Sequence, residues 1–123
     1  MEQKKDRIIV ICGLFDPIRY NELNLIKECK KRGDIIIVGL YSDKWLTQNK
    51  GGFYETYETR HAIVSSIKYV TEVFSFDDED GTVCNLLNLV KGCYPYSDIT
   101  FLSEVDMYNM PETKIKGITF EKI

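Results

Sequence analysis

Two runs of consecutive apolar, mostly β-branched residues, separated by one helical pattern, constrain this chain more than any other feature. The runs are residues 7–12, closed by Gly13, and residues 35–41. Runs that are apolar at nearly every position are typical of strands buried on both faces of a parallel sheet. Between them, residues 20–32 carry apolar side chains at helical spacing and basic side chains in the last turns before Gly33. This β-α-β order requires a right-handed crossover, which makes the two strands parallel.

The alternation continues along the rest of the chain. The patterns predict helices over 57–68, over 83–92 with Thr82 as its cap, and briefly over 111–116, and strands over 71–76, 99–102 and 118–123, the last being a strand or an extended tail. Residues 77–80 predict a solvated acidic loop. The stretch 44–55 lacks periodicity and contains Gly51-Gly52, which predicts a loop with about one helical turn around Trp45. We therefore expect one α/β domain over residues 1–123.

Composition excludes several classes of partner. A net charge of -3 and a pI near 5.2 argue against nucleic acid. The longest apolar runs fall far short of the ~20 residues that cross a bilayer, and the charged N-terminus lacks the features of a signal peptide. The four cysteines form no C-x-x-C pair and His61 is the single histidine, so we expect no structural metal. The thiols are expected to be reduced and mostly buried, in a cytoplasmic protein.

The turn between the first strand and the first helix carries the most informative motif. It reads Gly13-Leu14-Phe15-Asp16-Pro17-Ile18-Arg19-Tyr20-Asn21-Glu22-Leu23. The N-terminus of the helix that follows offers unpaired N–H groups and a positive dipole end, which suit an anion. The pattern G-x-F-D-P-I-x-Y resembles the G-[T/S]-F-D-P-x-H-x-G-H signature of the cytidylyltransferase-like nucleotidyltransferases.

The resemblance extends from about residue 7 to residue 102. Four further segments resemble glycerol-3-phosphate cytidylyltransferase and its relatives, in the same order and with nearly the same spacing. They are Gly33-Asp34, Ser42-Asp43, Tyr57-Glu58-x-Arg60 and residues 67–73. The resemblance implies a single Rossmann-like (HUP-type) domain, a five-stranded parallel sheet with helices on both faces. It also implies that CTP or another NTP, with Mg²⁺, lies over the turn and that a phosphorylated small molecule attacks its α-phosphate, with pyrophosphate released.

The chain departs from this family pattern at the phosphate site. Arg19, Asn21 and Glu22 stand where the family has the two histidines and the glycine of H-x-G-H. Arg19 keeps a cation that can bind phosphate through two hydrogen bonds. Glu22 places a carboxylate where the family directs a donor, and two like charges about 4 Å apart repel by several kcal/mol at a protein-like dielectric. A protonated Glu22 or a Mg²⁺ bridge would be needed to keep the family geometry.

Three further departures weaken the phosphate site. Asn49 stands at the place of a family lysine, with Lys50 next to it as a possible substitute. Residues 103–106, after the fourth strand, match the family's glycine-aspartate-aspartate only in part. The chain ends at Ile123, where we expect a family segment that supplies further phosphate contacts to be absent.

The candidate site residues fall into two groups. The resemblance assigns charge neutralisation to Arg19, Lys50 and Arg60, and nucleotide contacts to Gly13, Leu14, Phe15, Asp16, Asn21 and Glu22. Three of these residues have structural alternatives. Asp16 is alternatively a residue that pins the turn, Phe15 is more simply a core anchor, and Arg60 is alternatively part of a solvated helix face.

Three functions remain open at this point. We favour a protein that binds a nucleotide or a phosphorylated metabolite, with transferase activity weak or lost. One alternative is an active enzyme moving CMP or AMP from an NTP to a phosphorylated small alcohol or sugar. The other is a non-catalytic dimeric interaction module. Residues 68–73 resemble a segment that relatives place at a two-fold contact, which predicts a homodimer.

Overall fold

The computed structural model describes residues 6–123, so the first five residues of the charged N-terminus lie outside the described part. Ten elements follow in chain order. They are β1 Arg7–Gly13, α1 Tyr20–Arg32, β2 Ile35–Leu40, α2 Asp43–Lys50, α3 Tyr57–Ser65, β3 Glu72–Ser75, α4 Cys84–Cys93, β4 Asp98–Ser103, the 3-10 helix η1 Pro111–Lys114 and β5 Ile118–Lys122.

The five strands form one sheet in the order β3-β2-β1-β4-β5, and every neighbouring pair is parallel. The chain winds outward from β1 through β2 to β3, and then crosses back to place β4 on the other side of β1. The switch point therefore lies between β1 and β4, where open α/β sheets form a crevice at the carboxyl ends of their strands. The prediction of a Rossmann-like α/β fold with a five-stranded parallel sheet is confirmed.

The core has two layers because successive side chains of a strand point to opposite faces. On one face, Ile8 and Val10 of β1 pack in a cluster with Leu86 and Val90 of α4. On the other face, the alternate residues of β1 pack with Ile26 of α1 and with apolar residues of α3. The central strand is thus covered on both sides, which explains its continuous apolar sequence.

The structure corrects the predicted loop over residues 44–55. All of its first half belongs to the eight-residue helix α2, which begins after Ser42 and ends at Lys50. The Ser42 hydroxyl accepts a hydrogen bond from the Trp45 amide, and Gly51 ends the helix in the left-handed conformation at φ 80°. The serine and the glycine are typical helix-cap residues in the sequence. The helix was not predicted because the segment is polar over most of its length and Leu46 is its one buried residue.

Smaller boundary errors have local reasons. Helix α3 ends at Ser65, three residues before the predicted end, where turns replace the helical hydrogen bonds. Thr82 is not the cap residue of α4, because that helix begins at Cys84. The Thr82 hydroxyl does accept a hydrogen bond from the Cys84 amide, while the buried carboxylate of Glu112 accepts one from the Val83 amide. The last segment is a full strand, β5.

Two expectations about burial are also corrected. Within the acidic run 77–80, Asp78 is buried, because its carboxylate accepts hydrogen bonds from the Ser42 amide and hydroxyl. Of the four cysteines, all with free thiols, Cys29 is buried and Cys93 is exposed, while the other two are partly exposed. Over the described residues, no helix is long and apolar enough to span a bilayer.

Gly39 provides a test of the packing between β2 and α4. A Cβ at this position would overlap the side chain of Leu86, so Gly39→Ala is expected to destabilise the fold by about 1–3 kcal/mol. Gly92 in α4 is the matched control, since a Cβ there has no neighbour within 4 Å. Gly92→Ala is expected to be neutral or stabilising, because alanine is the better helix former. Urea denaturation measures both, and a Gly39→Ala variant as stable as the parent would contradict this packing.

Candidate functional site

A cleft of about 630 Å³ lies at the switch point of the sheet. It is bounded by the end of β1, the turn that follows, the first turns of α1, and the segment at the end of β4. Its position follows from the topology, because the connections leaving β1 and β4 run to opposite sides and leave a gap between them. The volume is within the range of about 300–1,000 Å³ that is typical of small-ligand sites.

Most of the candidate residues predicted from sequence line this cleft. The lining includes Arg19 and all six residues to which nucleotide contacts were assigned, namely Gly13, Leu14, Phe15, Asp16, Asn21 and Glu22. Lys50 and Arg60 are not part of the lining. The structure thus brings the first-turn residues together and leaves the two cations from α2 and α3 outside.

The N-terminus of α1 lies beside the cleft without a capping side chain. Arg19 precedes the helix in an extended conformation, and its side chain makes no capping hydrogen bond. The first bond of the helix runs from the Leu23 amide to the Arg19 carbonyl, at 3.1 Å, so the amides before Leu23 have no partner inside the helix. By contrast, an amide in the first turn of α2 donates to Ser42 and one in the first turn of α3 donates to Thr56. At the start of α4, the Cys84 amide donates to the Thr82 hydroxyl.

Glu22 lies in the first turn of α1 and lines the cleft. A carboxylate near a helix N-terminus is stabilised by the helix dipole. Within the described residues its carboxylate has no hydrogen-bond or ion-pair partner. The Glu22 carboxylate therefore already lies beside the positive end of the α1 dipole.

Asp16 joins the turn to the segment that follows α2. Its carboxylate accepts hydrogen bonds from the backbone amides of Tyr54, at 2.9 and 3.1 Å, and of Glu55, at 2.7 Å. The sequence alternative, in which Asp16 pins its own turn, is therefore replaced by a longer-range contact. Asp16 also lines the cleft, so its predicted nucleotide contact stays a prediction.

Phe15 is buried, with 2% of its surface exposed, and packs in the core cluster beneath α1 and α3. Its predicted role as a core anchor is confirmed. Its backbone has φ 49°, in the left-handed region that non-glycine residues seldom occupy. This conformation turns the chain sharply between β1 and α1 while the ring stays in the core.

Arg60 is completely buried and binds four oxygen atoms of the chain. Its guanidinium donates to the carbonyls of Leu14 (3.1 Å), Tyr41 (2.9 Å) and Glu55 (3.1 Å). It also forms an ion pair with the carboxylate of Asp43, at 2.8 Å. The predicted alternative of a solvated helix face is wrong. The phosphate role stays a prediction, with four of the five guanidinium N–H groups already bonded to protein oxygens.

Lys50 is the last residue of α2 and is exposed. Asn49, at the position of the family lysine, donates its side-chain amide to the Trp45 carbonyl within the same helix. Trp45 itself stacks on the Tyr41 ring, with centroids 4.2 Å apart.

Cys12, at the end of β1, is the one thiol in the cleft lining. Burial raises the pKa of this thiol to about 12, against a hydrogen bond from Tyr41 that lowers the pKa. At neutral pH the residue is therefore a protonated thiol. Since the thiolate is the nucleophilic form, Cys12 is unsuited to covalent catalysis.

Sequence reasoning missed most of the β4 side of the cleft. Phe101 and Leu102 of β4 line it, together with Ser103, Glu104 and Val105 from the segment that aligns with the family's glycine-aspartate-aspartate. The available signal was topological, because the strand across the switch point from β1 must contribute the opposite wall. In the described part of the chain, no group of three or more His, Cys, Asp or Glu side chains is placed to hold a metal ion.

The chain has a parallel sheet with a cleft at its switch point, and the cleft is lined by a glycine turn and by the uncapped N-terminus of a helix. These features define a Rossmann-like α/β domain. The family model described as Cytidylyltransferase-like matches residues 10–119. The chain belongs to the cytidylyltransferase-like family.

Similar proteins agree with this assignment. The chain is 34% identical over 61 residues to the ethanolamine-phosphate cytidylyltransferase of Mus musculus, covering 50% of this chain and 15% of that protein. It is 31% identical over 65 residues to the glycerol-3-phosphate cytidylyltransferase of Bacillus subtilis, covering 53% of this chain and 50% of that protein. The matched segments thus span half or less of either relative.

The fold is also similar to that of a solved structure, a lipopolysaccharide core biosynthesis protein from Thermoplasma volcanium. The TM-score is 0.69 at 23% identity, covering 97% of this chain and 94% of the other. At this identity the likeness shows a shared fold alone.

Arg60→Met is expected to lower the free energy of unfolding by about 3–5 kcal/mol, because it leaves three carbonyls and a carboxylate without their donor. Asp43→Asn is the control. The Asp43 side chain is 35% exposed and its loss of charge leaves the three carbonyl bonds intact, but it removes the counter-charge of the buried guanidinium, so a cost of about 1–3 kcal/mol, smaller than that of Arg60→Met, is expected. Chemical denaturation measures both variants. If Arg60→Met lowered the free energy of unfolding by less than about 1 kcal/mol, the guanidinium would not be what holds together the segments after β1 and β2.

Proposed function

We propose that this protein is a nucleotide-binding member of the cytidylyltransferase-like family whose transferase activity is weak or lost. The observation that carries the proposal is the unpaired Glu22 carboxylate in the first turn of α1, inside the cleft. Transfer from an NTP passes through a transition state in which negative charge grows on the phosphate oxygens. A carboxylate beside that charge raises the barrier, where the family motif supplies a histidine donor.

The placement of the cations supports the same conclusion. Arg19 lines the cleft, but Lys50 and Arg60 do not. Nucleotidyl transfer depends on several positive groups or donors placed around the phosphates. Among the described lining residues, one cation stands against three carboxylates. This cleft has the means to hold an anionic group and lacks the means to neutralise a triphosphate during reaction.

The second candidate is an active transferase moving CMP or AMP to a phosphorylated small alcohol or sugar. Arg19 favours it, because a guanidinium binds phosphate in a bidentate manner. The relatives named as cytidylyltransferases favour it as well. Mg²⁺ would have to arrive with the nucleotide, because the described residues hold no cluster suited to a metal ion. The third function, a dimeric interaction module, is the outcome if no nucleotide binds.

Pyrophosphate release tests the transferase part of the proposal. With CTP or ATP, Mg²⁺ and either glycerol 3-phosphate or phosphoethanolamine, release by the natural sequence is expected to stay at background. The triple variant Arg19→His, Asn21→Gly, Glu22→His restores the family motif and is expected to release pyrophosphate at least tenfold faster. Circular dichroism checks that the variant folds.

Robust turnover by the natural sequence would overturn the proposal and establish the active transferase instead. A folded triple variant that stays inactive would show that the loss of activity does not reside in these three positions.

A homodimer is part of the proposal, with residues 68–73 at its contact, in a cytoplasmic protein. Strand β3 lies at the open edge of the sheet, and Lys68, Thr71 and Glu72 are exposed just before or within it. Light scattering is expected to give twice the 14.3 kDa chain mass. A monomer at tens of micromolar would remove the dimer from the proposal.

A further inference from the structure

Three charged side chains of the cleft are free to meet a ligand. Arg19, Glu22 and Glu104 line the cleft, and none of them has a hydrogen-bond or ion-pair partner among the described residues. The fourth charged residue of the lining, Asp16, is bonded to two backbone amides. Arg19 is the one cation among the described lining residues, so the free charges of the cleft amount to one positive and two negative.

The rest of the lining is largely apolar. Leu14, Leu25 and Val105 contribute partly exposed apolar surface to its walls, and the buried side chains of Phe15, Phe101 and Leu102 complete the apolar lining. Apolar walls with a few polar groups at defined positions are typical of sites that hold the ring system of a small ligand. The cleft therefore offers space for a planar base, one cation for an anionic group, and two carboxylates that accept hydrogen bonds.

We infer that this cleft selects a nucleoside monophosphate over the corresponding triphosphate. The inference rests on the proposed function, that the cleft binds nucleotides, and names the class of nucleotide that it takes. One phosphate group meets the Arg19 guanidinium, while the sugar hydroxyls donate to the free carboxylates. Glu22 and Glu104 exclude the further phosphates.

Charge decides between the two ligands. A single phosphate monoester carries about 1.5 to 2 negative charges at neutral pH, which the Arg19 guanidinium and the uncapped amides of α1 offset in part, with Glu22 acting against them. Each additional phosphate brings more negative charge into a cleft that has no second cation in its described lining. Like charges repel more strongly at the reduced dielectric of a cleft than in bulk water, so the triphosphate is expected to bind at least tenfold more weakly than the monophosphate.

Isothermal titration in EDTA tests the order of affinities, since no divalent cation then masks the phosphate charge. The ligands are cytidine, CMP and CTP, and the matching adenosine series. In the series that binds more tightly, the monophosphate is expected to bind at least tenfold more tightly than the triphosphate. The monophosphate should also bind more tightly than the nucleoside.

Two substitutions assign the selectivity to named side chains. Glu22→Gln is expected to tighten triphosphate binding at least tenfold while changing monophosphate binding less than threefold. Arg19→Gln is expected to reduce monophosphate affinity to that of the nucleoside. Glu58→Gln is the matched control, because Glu58 also lies in the first turn of a helix but is exposed on α3 and outside the cleft lining. It should leave all affinities unchanged.

The outcomes separate the inference from the proposed function. If no nucleoside or nucleotide gives a binding heat or a thermal shift, the proposed function fails and the inference fails with it. If CTP or ATP binds as tightly as its monophosphate, nucleotide binding stands and the charge selection is overturned. The charge selection is also overturned, with nucleotide binding left standing, if Glu22→Gln and Glu58→Gln change the affinity for the triphosphate equally.

Discussion

The buried guanidinium of Arg60 is the contact on which the carboxyl edge of the sheet depends. One side chain of α3 binds the carbonyl after β1, the carbonyl after β2 and the carbonyl before α3, and pairs with the first residue of α2. Buried carbonyls need donors, and three separate segments obtain theirs from this group. Asp16 adds a second tie between the turn and the segment after α2. The shape of the cleft therefore derives from contacts behind its wall.

This arrangement separates the shape of the site from its charge. This member of the cytidylyltransferase-like family has the five-stranded parallel sheet, the glycine turn and an uncapped start of α1. The side chains that line the cleft differ from the family motif at Arg19, Asn21 and Glu22. Because the supporting contacts are made by other residues, these three positions can change without loss of the fold. A family fold thus says less about ligand and activity than the side chains of the site.

The order of the strands and helices could be predicted from the sequence because its signals are local. Apolar runs over residues 7–12 and 35–41 predicted buried parallel strands, and helical spacing with Gly33 as a stop predicted α1 with its observed bounds. Helix α2 was missed because its stability derives from its caps and from one buried leucine rather than from a periodic face. Burial of Asp78 was missed because its partner, Ser42, is thirty-six residues away along the chain.

The sequence by itself determined the alternation of elements, the family motif and the identity of the altered residues at the turn. Tertiary structure decided which charges meet in the cleft. Arg19 and Glu22 are neighbours in sequence, but Glu104 joins them because β4 pairs with β1. Arg60 and Lys50 were grouped with the site by resemblance, and the fold places one in the core and the other at the exposed end of α2. The physical reason is that burial and long-range pairing depend on how distant segments pack, which local patterns do not encode.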